Sequence, residues 1–232
     1  MAKAELVIDV KTRGLDAALD ALRDSRGSDE IERRAFTVDR LAIERRAEGE
    51  TPHIVGHAAV FNTTIDIGRW FRERIAPGAF KRAVAEDDVR ALFNHDENWI
   101  LGRTKAQTLS LSEDDKGLAV DVLPPDTQLV RDLVLTPIER GDVSQMSFAF
   151  RVRKEEWDET GDVPLRTLLE VELFDVSPVT FPAYPTTDVG LRSLEEFRKR
   201  RPKGLTTQNA AAIVRRSAIQ RIRNKQASQV AR

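Results

Sequence analysis

The sequence predicts a mainly β domain with a few helices, of the α+β class. Three observations carry this. Apolar residues alternate in short runs from about residue 31 to 187, turn residues separate the runs, and only two stretches in that region show helical spacing. Many short strands with few helices favour a barrel or a sandwich.

Taken in order, the strand signals are Phe36 and Val38, the run from Ile54 to Phe61, Leu109 and Leu111, Val120 and Val122, the trio Phe148, Phe150 and Val152, and Val171 with Leu173. Asp114-Asp115-Lys116-Gly117 predicts one hairpin turn, and Asp158-Glu159-Thr160-Gly161-Asp162 a second. Pro77-Gly78 is expected to open a short helix with Phe80 and Val84 on one face, because proline's missing N–H is unbonded at a helix start anyway. Asp126 is expected to cap another helix. Its apolar stripe is Leu129, Val130, Leu133 and Val134, and Pro137 and Gly141 end it.

Both ends differ from this body. Residues 1–30 read as an N-terminal appendage, with strand-like alternation at Leu6, Ile8 and Val10 and helical spacing at Leu15, Leu19 and Leu22 before the Arg26-Gly27-Ser28-Asp29 break. Residues 31–191 read as the folded domain and 192–232 as a basic tail, with a weakly amphipathic helix over 206–223. The tail holds twelve Lys and Arg against two Glu, so the net charge of −1 divides into +10 in the tail and −11 in the rest. Like charges at that density extend a chain and suit an acidic partner surface.

Composition removes several kinds of chemistry. With no cysteine there is no disulfide framework, thiolate metal site or cysteine nucleophile. No apolar run approaches the roughly 20 residues of a membrane helix, and Met1-Ala2-Lys3-Ala4-Glu5 opens no secretory signal, which points inside the cell. GxSxG, HExxH, GxxxxGK[ST] and GxGxxG motifs are missing, and no cofactor is implied. Only His53, His57 and His95 can carry imidazole chemistry. His53 and His57 are four apart in a β-like run with no third ligand in view, so they read as ordinary polar side chains. His95 ends the apolar run Ala91-Leu92-Phe93 and stands at its rim. Ser147 precedes Phe148 on a strand and shares its face with Ala149 and Arg151. Position alone permits a Ser147–His95 pair and equally permits two unremarkable polar residues.

Five ordered stretches carry a resemblance. They are Gly56-His57-Ala58-Ala59-Val60-Phe61-Asn62, Ile75-Ala76-Pro77-Gly78-Ala79-Phe80, Phe93-Asn94-His95-Asp96 with Leu101-Gly102, Gly141-Asp142-Val143 through Met146-Ser147-Phe148, and Asp175-Val176-Ser177-Pro178-Val179-Thr180-Phe181-Pro182-Ala183. In this order they resemble the motifs of the tailed-phage prohead protease family, over residues 32 to 187. That family processes capsid proteins during head maturation and is similar in fold to the herpesvirus assembly proteases. The resemblance therefore implies a herpesvirus-protease-like β-barrel core with flanking helices. It also implies a serine endopeptidase that cleaves the scaffold region of the phage major capsid protein, and itself, inside the immature head in the host cytoplasm.

The family's histidine falls on His95 and its serine on Ser147. A neutral imidazole suits the removal of a serine proton near pH 7. His57 stands where the family has an aromatic residue, Tyr184 where it has asparagine, and Ala149 where it has glycine, so a methyl is added two residues from the nucleophile. The third triad member in the herpesvirus relatives is a second histidine, and none follows His95 here, so an acid takes that place. Asp175 shares strand parity with Val171 and Leu173, whereas Glu170 and Glu172 point the other way unless a bulge intervenes. Asp175 is favoured, with Glu172 and Glu170 left open. The expected partners are the capsid protein with its scaffold region and further copies of the chain. No membrane partner is expected, and nucleic acid only through nonspecific phosphate contact by the tail. The competing reading is a non-catalytic capsid assembly or scaffold protein that keeps the protease fold.

Overall fold

The computed structural model describes residues 30–37, 41–46, 51–181 and 187–200. The appendage elements of 1–30, Val38 and the helix of 206–223 lie outside them. Among the described residues, eleven strands form two sheets. The strands are β1 (Glu32–Thr37), β2 (Ala42–Glu44), β3 (His53–Val60), β4 (Ile65–Ile67), β5 (Phe71–Ile75), β6 (Arg90–Phe93), β7 (Asp96–Arg103), β8 (Leu109–Glu113), β9 (Gly117–Val122), β10 (Gln145–Asp158) and β11 (Leu165–Val179). The larger sheet runs β1-β10-β11-β5-β4, with β6 beside β11 and β7 beside β6. The smaller is antiparallel in the order β2-β3-β9-β8. The mainly β, α+β class read from the alternating runs is the class observed.

Both expected hairpins are present. Asp114 Oδ1 accepts from the N–H groups of Lys116 (2.8 Å) and Gly117 (2.9 Å), tightening the turn between β8 and β9. Gly117 admits no side chain, since a Cβ there would stand 1.9 Å from the Ala59 carbonyl oxygen. The long β10–β11 hairpin forms the middle of the larger sheet and pairs with β1 on its other side.

The two sheets share one core. Ile54, Leu118 and Val122 from the smaller sheet join Phe80, Leu101, Phe148, Phe150 and Val176, all nearly devoid of solvent contact. Phe80 packs edge-on to Phe148 and Phe148 stacks on Phe150, at centroid separations of 5.5 and 4.8 Å.

Three local expectations are corrected. The helix expected to open at Pro77 begins at α1 (Lys81–Glu86), because Gly78 has φ +90° and turns the chain first. Thr127, not Asp126, caps the next helical segment, its hydroxyl accepting from Val130 N–H while Asp126 pairs with Arg131. That segment runs from α2 (Gln128–Val130) through a π-type turn, Arg131–Leu135, into α3 (Thr136–Arg140). The wider turn shifts the helical phase, so Val130, Val134, Leu135 and Ile138 are buried while Leu129 and Leu133 are exposed.

At one end of the larger sheet five charged groups are buried together. Arg166 binds Glu32 (2.9 Å), Glu73 (3.0 Å) and Glu155 (2.6 Å), and Arg34 binds Glu73 (2.6 Å) and Glu32 (2.5 Å). Burial opposes ionisation of Glu32, but Arg166 and Arg34 outweigh it and hold the carboxyl at about 2. This network ties β1, β5, β10 and β11 together. Beside it, α4 (Thr187–Arg200) buries Leu194 against Ile67 and Phe71, and Phe197 stacks on Trp157 at 5.2 Å. The division drawn after Leu191 falls within α4.

Candidate active site

The β6–β7 connection is a two-residue turn, since Phe93 pairs with Asp96. Its central residues Asn94 and His95 both adopt left-handed backbone, at φ 56° and 57°. Tight hairpins require this geometry, asparagine tolerates it, and histidine adopts it at a cost. Three hydrogen bonds to the end of β11 hold the turn in place. Asn94 N–H donates to the Pro178 carbonyl (3.0 Å), Asn94 Nδ2 donates to Thr180 Oγ1 (3.2 Å), and Thr180 N–H donates to Asn94 Oδ1 (2.8 Å).

The clamp sets the imidazole over β10 and β11. His95 Nε2 lies 2.7 Å from Ser147 Oγ, and His95 Nδ1 lies 2.6 Å from Asp175 Oδ1. Ser177 Oγ donates to the same Asp175 oxygen at 2.7 Å. With Nδ1–H given to Asp175, Nε2 is free to accept the serine proton. Ser147 Oγ also lies 3.0 Å from the Arg34 carbonyl of β1, so one hydroxyl proton has two acceptors. Ser147 and Ser177 are fully buried and Asp175 nearly so.

Asp175 reaches the imidazole through a bulge. Ala149 pairs with Asp175, but Phe150 pairs with Leu173, so the ladder skips Phe174. Cross-strand partners share a face, which puts Asp175 with Ala149 and Ser147 and puts Leu173 with Phe150 on the core side. Parity with Val171 and Leu173 is therefore the wrong reason for choosing Asp175, and Glu172 lies on the same face as Asp175. Glu172 is engaged by Arg151 (3.0 Å) and Arg153, and Glu170 by Lys154 (2.5 Å). Arg103 donates to Asp88 at 2.8 Å, and that bond holds the Asp88 carboxyl at about 2.

The other histidines are paired separately, His53 with Asp121 at 2.6 Å and His57 with Asp114 at 2.8 Å. Desolvation would raise both carboxyls, but the histidines and other donors lower them. Among the described residues no group of three or more His, Asp or Glu is placed to hold a metal ion, and no helix is long and apolar enough to cross a membrane. Four contributors to the site escaped the reading of the sequence: Ser177, Asn94, Thr180 and the Arg34 carbonyl. Only Ser177 left a signal, standing two residues beyond Asp175 on one strand.

A hydroxyl, an imidazole and a carboxylate bonded in that order on a mainly β scaffold make the arrangement used by serine-type hydrolases. Over residues 38–200 the chain matches the family described as caudovirus prohead serine protease, and it belongs to that family. No curated protein and no solved structure matches it. Membership makes it a phage capsid maturation protease at the level of the family, working with capsid proteins in the prohead within the host cell.

Proposed function

We propose that this protein is a serine endopeptidase that cleaves the scaffold region of the phage major capsid protein, and then itself, during prohead maturation. The unbroken chain of hydrogen bonds from Ser147 through His95 to Asp175 carries the reading. Ser147 Oγ attacks the scissile carbonyl as His95 Nε2 takes its proton, and the imidazolium then donates that proton to the leaving amine. Asp175 holds Nδ1–H, fixing tautomer and ring orientation, and Ser177 holds Asp175. Water enters by the reverse sequence and releases the acyl group.

The two sheets, sharing one core with β3 packed on β1 and β10, support a herpesvirus-protease-like barrel as the underlying architecture. We read 1–30 as an appendage and the basic segment of 192–232 beyond α4 as a tail that engages an acidic surface on the capsid protein or another copy. The test is incubation of the purified chain with its capsid partner and with itself, followed by mass spectrometry. Cleavage of both, lost in Ser147→Ala, is the expected result. An intact capsid protein under conditions in which the chain assembles with it would favour the assembly-protein alternative.

A further inference from the structure

On the Ser147 face of the larger sheet, one row of paired residues crosses five strands: Arg33, Ala149, Asp175, Arg90 and Arg103. The opposite face of the neighbouring row, Arg34, Phe148, Val176 and Ala91, is buried in the core. The Arg33 row thus lies on the face that bears the nucleophile, with buried Ala149 and Asp175 between exposed Arg33 and half-buried Arg90 and Arg103. Ala149, next after Ser147 on that face, is itself buried. Arg33 stands exposed opposite it on β1. Strand spacing of about 4.8 Å and a same-face repeat of about 6.8 Å put its Cα roughly 8 Å from that of Ser147, within reach of a long side chain.

The charges along this face are unevenly satisfied. Asp88 engages Arg90 and Arg103, while Glu172 engages Arg151 and Arg153. Arg151 also lies over the Phe174 ring at 5.2 Å, which fixes it as a neighbouring wall. Arg33 is exposed and has no partner among the described residues. Across the site, exposed Asp96 and Glu97 follow His95, with Asp96 turned back onto Asn98. Exposed carboxylates therefore stand at the β6–β7 turn and an unpaired guanidinium at the β1 edge.

We propose that Arg33 is a specificity-determining residue that takes an acidic side chain of the polypeptide substrate, within about two residues of the bond cleaved at Ser147. The proposal rests on the peptidase reading above. A guanidinium matches a carboxylate with two parallel hydrogen bonds, and Asp96 and Glu97 repel the same carboxylate from the opposite end, so attraction and repulsion select one placement.

The test is digestion of a library of unstructured peptides by the full chain, with Ser147→Ala as blank and cleavage sites mapped by mass spectrometry. Asp and Glu are expected to be enriched within two positions of the cleaved bonds. For matched peptides carrying Glu or Lys there, Arg33→Glu should shift the ratio of kcat/KM values toward the Lys peptide by about tenfold, and Arg33→Lys should retain most of the preference for Glu. Unchanged thermal unfolding, expected for so exposed a residue, separates the effect from misfolding. Ser147-dependent cleavage without acidic enrichment, or a ratio unaltered in Arg33→Glu, overturns the proposal and leaves the peptidase intact. Absence of Ser147-dependent cleavage of any peptide and of the capsid protein overturns the peptidase reading itself.

Discussion

Asp175 and His95 are joined at 2.6 Å although they come from different strands and from opposite sorts of local geometry, one from a bulged ladder and the other from a left-handed turn. Neither feature suffices alone. Without the skipped Phe174 the carboxylate would face the core, and without the Asn94 clamp the ring would swing free of both partners.

This interdependence predicts how the triad fails. Ser147→Ala and His95→Ala should each lower kcat/KM by roughly 10⁴-fold or more, with the double variant little worse than either, because the members act as a unit. Asp175→Asn should cost a comparable amount by favouring the wrong tautomer. Circular dichroism and thermal unfolding should stay near those of the parent chain. Full activity in Ser147→Ala would move the nucleophile elsewhere, with exposed Ser144 the first residue to examine.

On the proposed mechanism Asn94 would act on the reaction only through His95. Glycine also adopts a left-handed backbone, so Asn94→Gly should keep the turn while deleting both side-chain bonds to Thr180. We expect kcat to fall about tenfold with KM changed less than about twofold, the pattern of a misplaced base rather than of lost substrate contact. An equal rise in KM would instead put Asn94 in direct contact with substrate.

Much of this fold was legible from residue periodicity, and much of the site from motif order. Phe148, Phe150 and Val152 announced a strand, and Asp114 with Gly117 announced the β8–β9 hairpin, because both signals are local. The bulge at Phe174 was not legible, since skipping a residue depends on what the partner strand offers. Nor was the phase shift at Arg131–Leu135, which needs only one extra residue in a turn to expose Leu129 and Leu133. Glu32, Arg34, Glu73, Glu155 and Arg166 all look like surface residues in sequence. Their burial follows from mutual pairing between segments as much as 134 residues apart, which no window along the chain contains.

That buried network predicts a pH dependence with a definite sign. Glu32 titrates at about 2 in the folded chain against an ordinary value of 4.5, so the unfolded chain binds more protons as acid is added. Its contribution is fully present above about pH 4.5 and is lost as pH falls toward 2, on the order of 3 kcal/mol. Urea unfolding at successive pH values should show this decline. Arg166→Met, which removes the cation shared by three buried carboxylates and leaves Arg34 to hold Glu32 and Glu73, should lower stability by about 3–5 kcal/mol at pH 7. A loss below about 1 kcal/mol would mean that the network is solvated and contributes little.

The end of the chain gives the last prediction. Leu194 is buried and Phe197 stacks on Trp157, which itself meets Phe71 at 4.9 Å, so α4 covers apolar surface of the larger sheet next to the ion network. Arg198 adds a bond to Glu159 at 3.0 Å. A chain ending at 191 would uncover Phe71 and Trp157 together and should unfold at markedly lower temperature, whereas one ending at 200 should keep both its fold and its peptidase activity. Phe197→Ala in the full chain isolates the stacking contact and should cost about 1–2 kcal/mol. On the tail reading, the basic segment beyond α4 acts on partners, so the chain ending at 200 should enter immature heads poorly. In the full chain that association should weaken as salt screens the tail's charge. Equal stability of the chains ending at 191 and 200 would show that α4 belongs with the tail rather than with the catalytic body.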